Sequence, residues 1–600
     1  MGNDQDIRLS SDIKFHLVRK IECHKIMGLA GPALLPHEAK YIEFHRPSGV
    51  ILFERNIESS PQVRDLVEQI HEKLSNDGLR ALVMVDHEGD FVSELKKLIG
   101  VPPSPMAIGA TGDPSFAREV ARETGKAMRR LGVNVVLAPV ADCYFDPSCS
   151  VTGIRTFGRD PERVAAFVEE TIRGYADAGV LTCAKHFPGH GSTRDDSHLT
   201  LPRVRTTLSE LKENDLVPFR RAVDAGVDMV MMAHVAFSFG EGAGDPVPAS
   251  FDRRLIQEIL RDEFGFAGVV ITDALEMEGA RVHVRARYGG LAGGFERSIL
   301  AGADLLLYSA PVPERIVTQK DGEPMIAVDV IQTIIDTLER VVDRSRIDKK
   351  LEEAAGQNEG VRNLLRILDT SEKRIRALRS RAAEISEPKQ AKHEGNVIHL
   401  RDYSVTPGVY KTAAERSVTL VRDPSSFIPV SAERKCVVLP VESSASQSLK
   451  RQDVASFADT LCRNFSGWES FRPLVGFEDD GRGALRPVFE YPRATVIDAT
   501  RFDPRLHAAG DEFKLAKGKV LLPVFSARGA PPDGFLEGLE AFLVKYAVPF
   551  VVVTGWPILG WIPESVGCLL TYGASPQVAA AVSAVLSGKA EARGILDRVL

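Results

Sequence analysis

Residues 160–191 read DPERVAAFVEETIRGYADAGVLTCAKHFPGHG, a helix, a strand and a loop in immediate succession. Asp160 is placed to cap the helix, Pro161 suits its first turn, and Val164, Val168, Ile172 and Tyr175 share one face before Gly179. VLTCAKH (180–186) then reads as a buried strand, and Pro188, Gly189 and Gly191 force a loop directly after it. This is one complete crossover of a parallel α/β sheet.

The same unit recurs through the first two thirds of the chain. Strands are expected at GVILFERN (49–56), ALVMVD (81–86), VNVVLAPVAD (133–142), VDMVMMAH (227–234), GVVITD (268–273) and ADLLLYS (303–309), with an eighth at IMGLAG (26–31). Eight strands alternating with helices predict a (β/α)8 TIM-like barrel. Five of them finish on Asp86, Asp142, His186, His234 and Asp273. A polar residue can simply mark where a strand leaves the core, but in a parallel barrel these ends share the rim that carries the chemistry.

Beyond residue 325 the strand pattern stops. IQTIIDTLERVV (331–342) and VRNLLRILDTSEKRIRALRSRA (361–382) have helical periodicity, and EPKQAKHEGN (387–396) reads as a polar linker. A second alternation follows, with strands at VTLV, KCVVLPV, ATVIDAT, GKVLLPVF and PFVVVTG and a closing helix at ASPQVAAAVSAVLSG (574–588). The expected organisation is a barrel domain with trailing helices over 1–385, a linker over 386–405 and a second α/β domain with a parallel sheet over 406–600.

Composition narrows the partners. The chain of 600 residues has a net charge of −7 and scattered basic residues, which argues against nucleic acid and for a small uncharged or polar ligand. Seven cysteines without a CxxC pair point away from a disulfide framework. MGNDQDIRLSSDIKFHLVRK has no apolar core of a leader, Asp6 spoils a myristoylation signal, and no apolar run is long enough to cross a membrane. A cytoplasmic location is the expectation.

The loop after the fifth strand is the richest in chemistry, and it is expected to project His190, Asp196 and His198 over the barrel mouth. Asp196-Ser197-His198 sets a carboxylate two residues from an imidazole, close enough to orient the ring and stabilise its charged form, although such a pair also serves as a solvated or capping motif. A metal site is the rival reading of His186, His190, His198 and Asp196. The spacing is not a familiar ligand pattern and Lys185 would repel a cation, so no metal or cofactor is expected. Asp273, in GVVITDALEM, is a rigid strand-end carboxylate suited to act opposite a proton donor, or else to cap the next turn. GGLAGG (289–294) lacks the GKS/T ending of a phosphate cradle and is expected to be a mobile loop beside Asp273.

Together KHFPGHG with DSH (196–198), GIRTFGRDP (153–161), MMAHV (231–235), PASFDRRLIQEILRDEFGFAGVVITDALEM (248–277) and AGADLLL (301–307) resemble family 3 glycoside hydrolases of the β-N-acetylhexosaminidase branch. VYKTAAERSVTLVRD (409–423) and LLTYGASPQVAAAVSAVLSGKAEARGIL (569–596) are similar to the α/β (αβα) sandwich domain that follows the barrel in two-domain members. The resemblance implies a retaining exo-β-N-acetylglucosaminidase with Asp273 as nucleophile, His198 as acid/base and Asp196 as its orienting partner. It further implies that Asp86, Arg155, Lys185 and His186 hold the terminal sugar, with His234 as a lining residue. Peptidoglycan fragments are the implied substrate.

Two segments depart from the family pattern. Members usually read DQEGGRVxRL where this chain has DHEGDFVSEL (86–95), so that Phe91 and Glu94 stand where arginines are common. PSCSVTG (147–153) replaces an asparagine-rich turn. A phosphorylase using phosphate instead of water, and a sugar-binding protein with a decayed site, are the alternative readings.

Overall fold

Eight short parallel strands, each followed by a helix, close on themselves in chain order. They are β1 (Lys25–Gly28), β2 (Gly49–Leu52), β3 (Leu82–Val85), β4 (Val135–Val136), β5 (Leu181–Phe187), β6 (Met229–Met232), β7 (Val269–Thr272) and β8 (Leu306–Pro311). The computed structural model describes residues 21–311 apart from 76–77, 147–148, 150, 194–200, 240–245 and 289–290. It also describes the helix at 359–386, residues 407–422, 571 and 589–594, and the further strands and helix named below.

Sheet order runs β7-β6-β5-β4-β3-β2-β1-β8, and a parallel bridge from Ile271 to Leu305 joins the two ends. The amide of Thr272 donates to the carbonyl of Leu305 at 3.0 Å across that seam. The predicted (β/α)8 barrel is therefore present, with all eight strands where they were expected. The fourth is shorter than its apolar run: the ladder stops at Val136 and resumes only as a bridge from Val140 to Lys185. Pro139, between them, has no N–H to give to a ladder.

The alternation of a strand's side chains separates two cores. Ile26, Ile51, Leu82, Met84, Val135, Leu181, Met229, Met231, Val269, Ile271 and Leu305 fill the barrel. Val50, Leu52, Val83, Val85, Val136, Val230 and Val270 face outward against the helices. Those helices are α1 (Pro36–His45), α2 (Ser60–Leu74), α3 (Ser115–Arg130), α4 (Pro161–Asp177), α5 (Val217–Asp224), the π-type α6 (Arg254–Glu263), α7 (Leu291–Ala301) and α8 (Glu359–Ser386). In α4 the Asp160 side chain accepts from the amide of Arg163 at 2.9 Å, with Pro161 in the first turn, as the sequence predicts.

Helix α8 plugs the N-terminal mouth. Its Ile375, Leu378 and Ala382 join the inner core, Arg381 pairs with Asp228 at the foot of β6, and Arg374 pairs with Asp304. Sealing that mouth leaves the opposite rim as the open one.

One expectation is corrected. Leu291 opens helix α7 where a mobile loop was expected, and residues 289–290 lie outside the described residues. Gly293 and Gly294 supply the close approach: a Cβ on the first would meet the backbone of Tyr288 at 2.0 Å, and one on the second the Val284 side chain at 2.8 Å. The helix predicted at 331–342 and the linker at 387–396 also lie outside the described residues.

A second sheet follows, in the order Thr419–Arg422, Gly567–Leu570, Val551–Thr554, Val520–Phe525, Cys436–Val441, Leu474–Asp479, Leu485–Phe489, with Glu469–Ser470 beside Cys436–Val441. Its centre is parallel, and its outermost pairs are antiparallel. The strand expected at 494–500 lies outside the described residues. The helix α9 (Pro407–Ser417) carries this region onto the barrel, where the hydroxyls of Tyr410 and Thr124 on α3 hydrogen-bond at 2.7 Å. Near the C-terminus, α10 (Pro576–Leu586) buries Val578, Val582 and Val585.

Candidate active site

The C-terminal rim gathers Asp86, Glu88, Asp142, Arg155, Lys185, His186 and Asp273 from β3, β4, β5, β7 and the turn before α4. Lys185 reaches Asp86 at 2.6 Å and Glu88 at 2.5 Å. Arg155 closes a fork on the same Glu88, with Nε and Nη2 at 2.7 and 2.8 Å from its two oxygens. This network accounts for all four charges at little solvent cost, because charge-assisted, bidentate pairs satisfy nearly every donor.

The electrostatics follow from the pairing. Burial pushes the Glu88 carboxyl up, but Arg155 and Lys185 outweigh it and hold it well below the carboxylate range. Burial likewise opposes the Lys185 ammonium, and Asp86 and Glu88 reverse that effect and raise it. Lys185 is only 2 % exposed, whereas the Asp86 and Arg155 side chains keep 21 % and 15 %. Asp86 and Arg155 therefore offer most of the polar surface within this network that a ligand can touch.

His186 is held by geometry in one tautomer. Its Nδ1 lies 2.8 Å from Asp142 Oδ2 and its Nε2 lies 3.4 Å from Arg155 Nη2. A guanidinium only donates, so Nε2 must accept and the proton sits on Nδ1, facing the carboxylate. Burial lowers the His186 pKa and keeps the ring neutral, while its partner Asp142 stays charged.

The loop after β5 is locked by close backbone approach. A Cβ on Gly191 would stand 1.5 Å from the carbonyl oxygen of Cys143, and Gly189, at φ +134°, faces the Asp215 carboxyl. The amide of His190 donates to Asp142 at 2.7 Å, and the Thr193 hydroxyl donates to the His190 carbonyl at 2.7 Å. His190 is thereby folded back and buried rather than projected over the mouth, since Asp142 captures its amide. Cys149 braces the turn, its Sγ 3.1 Å from Thr152 Oγ1 and 3.5 Å from the His190 carbonyl. Asp196 and His198 lie outside the described residues, three and five positions beyond Thr193.

Asp273 follows β7, with its amide bonded to the carbonyl of Met232 and its Oδ1 accepting from the amide of Ala274 at 2.7 Å. His234 does not line the open space: it is 1 % exposed, with Nδ1 2.8 Å from the Ser250 hydroxyl and Nε2 3.0 Å from the carbonyl of Ala274. Glu94 accepts from the amide of Glu54, so its carboxylate serves the β2 turn.

Two residues escaped the sequence reading. Glu88, two positions after Asp86, had the spacing of a strand-end neighbour as its only signal. Asp215 lies in the turn before α5, and nothing in its surroundings in the sequence marks a role. Burial first, then the charge of Asp142, raises the Asp215 pKa to about 7.

A rim of fixed carboxylates beside a lysine and an arginine thus stands above a plugged parallel barrel, at the end where barrel enzymes carry their chemistry. Residues 24–355 match the Glycosyl hydrolase family 3 N terminal domain, and the chain belongs to that family. It is 38% identical over 291 residues to a β-hexosaminidase of Thiobacillus denitrificans, covering 47% of this chain and 77% of that protein. A β-hexosaminidase of Pseudomonas aeruginosa is 36% identical over 285 residues, with 47% and 80% covered. The structure of a family 3 β-N-acetylglucosaminidase from Paenibacillus sp. superposes with a TM-score of 0.76 at 26% identity, over 97% of this chain and 98% of that one. The protein is a glycoside hydrolase.

Proposed function

We propose that the chain is a retaining exo-β-N-acetylglucosaminidase that removes terminal β-linked N-acetylglucosamine, with peptidoglycan fragments as substrate. The observation that carries this reading is the rim itself, where Asp273 stands on a rigid strand end together with Asp86, Arg155, Lys185 and His186. The names of the similar β-hexosaminidases support the choice of sugar.

Asp273 attacks the anomeric carbon while His198, oriented by Asp196, protonates the leaving oxygen; His198 then activates water against the glycosyl-enzyme. Asp86, Arg155, Lys185 and His186 bind the hydroxyls of the terminal sugar. The first part of the loop after β5 is anchored through His190 and Thr193.

Water is favoured over phosphate as the second nucleophile. Among the described residues Asp86, Glu88, Asp142 and Asp273 outnumber Lys185 and Arg155 around the site, so an incoming dianion meets net negative charge from them. The buried thiols of Cys143, Cys149 and Cys183, which form no disulfide among the described residues, support work in a reducing compartment such as the cytoplasm.

The test is release of nitrophenol from its β-N-acetylglucosaminide and from its β-glucoside, each with and without phosphate. Preference for the acetamido sugar, unaffected by phosphate and abolished by Asp273→Ala, is the expected result. Phosphate stimulation with a sugar phosphate product would mean a phosphorylase, and silence on both sugars a binding protein.

A further inference from the structure

His234 is among the most deeply buried ionisable groups near the rim, and the proposed mechanism leaves it unused. Its Nε2 faces the carbonyl of Ala274 at 3.0 Å, and a carbonyl only accepts, so Nε2 carries the proton. Its Nδ1 faces the Ser250 hydroxyl at 2.8 Å, which can donate. Burial lowers the ring's pKa and outweighs the pull of Asp273, so the ring stays neutral in this tautomer. Phe251 stacks on it at 6.3 Å between centroids and 17°, fixing the ring plane.

The other backbone group of the same residue matters most. Ala274 is held at its carbonyl by His234, while its amide donates to Asp273 Oδ1 at 2.7 Å. We propose that His234, set by Ser250, is a positioning residue that fixes the backbone of Ala274 from its carbonyl end and, through the amide of that residue, aims the carboxylate of Asp273 at the anomeric carbon. This rests on the assignment of Asp273 as nucleophile. It places His234 behind the reacting carboxylate, not against the sugar.

The consequence is a split between rate and affinity. A misplacement of 1 Å at a reacting group costs about 100-fold in rate. His234→Phe keeps the stack on Phe251 but cannot bond Ala274, so kcat on the aryl N-acetylglucosaminide is expected to fall by about 100-fold. Competitive inhibition by free N-acetylglucosamine should be unchanged. His234→Gln, whose amide can still donate, should recover part of the loss, and Ser250→Ala should give a smaller loss of the same kind.

Wild-type kcat in His234→Phe overturns the proposal. So does a loss of N-acetylglucosamine inhibition in step with the rate, which would make His234 a sugar contact or mean a collapsed pocket. If His234→Phe fails to fold, Ser250→Ala and His234→Gln decide: an unchanged rate in both overturns the role. Asp273→Ala in the same assay separates the two levels. Turnover retained there sinks the nucleophile assignment, whereas an inactive Asp273→Ala beside a fully active His234→Phe sinks only the positioning role.

Discussion

Glu88 is the keystone of the rim, and Glu88→Gln tests that directly. Glutamine has the same volume but one acceptor oxygen and an amide that donates, and that amide must face a guanidinium or an ammonium that only donate. The fork to Arg155, at 2.7 and 2.8 Å, loses one arm whichever way the amide lies, and the negative charge that Lys185 shared with Asp86 is gone. Breaking a buried ion pair by removing one partner costs about 3–5 kcal/mol, and the surviving Asp86 contact puts this case near the lower figure. The sign with pH follows from the shift. Glu88 ordinarily titrates at 4.5 and is depressed in the folded protein, so its contribution is complete above 4.5 and is lost as pH falls below it. Urea unfolding followed by far-UV circular dichroism is the right assay, because Trp468, Trp556 and Trp561, the only tryptophans in the sequence, all come after the last barrel strand in the chain. The variant should be less stable by about 3 kcal/mol near neutrality, and the gap should narrow in acid. Equal urea midpoints for both proteins at neutral pH would refute the keystone role.

Three further outcomes are expected. Gly191→Ala forces a methyl to 1.5 Å from the Cys143 carbonyl, so the loop must move, and activity should drop by at least about 100-fold while circular dichroism still reports a folded barrel. Asp215 has its pKa raised from 3.8 to about 7, so its neutral form stabilises the fold at low pH and that contribution is lost as pH rises through about 7. Asp215→Asn should therefore be more stable than the parent above pH 7, with the advantage vanishing below 3.8 in the same urea assay. Leu378→Ala, in the plug of the N-terminal mouth, should cost about 2–5 kcal/mol of stability and leave KM for the aryl substrate unchanged, because the cavity opens at the end away from the site.

What the sequence determined by itself is local. Apolar runs of strand length separated by 3.6-residue periodicity made the barrel legible, because a strand buried on both faces must be continuously apolar. Strand ends in a parallel barrel share one rim, so Asp86, Asp142, His186 and Asp273 could be grouped before any distance was known. Asp160 and Pro161 announced their helix because capping is settled within four residues.

What only the tertiary structure decided is who touches whom across the barrel. Glu88 became the partner of Arg155 and Lys185 through contacts 67 and 97 positions apart in the chain, which no local pattern encodes. His234 looked like any other strand-end polar residue, yet the carbonyl it reaches is 40 positions away and its ring is buried. His190 sat beside His186 in a loop that promised exposure, and Asp142 drew its amide into the core. The physical reason is common to all three: periodicity tells which face a residue leaves by, but hydrogen-bond partners and charge pairs are chosen by the packing of distant segments.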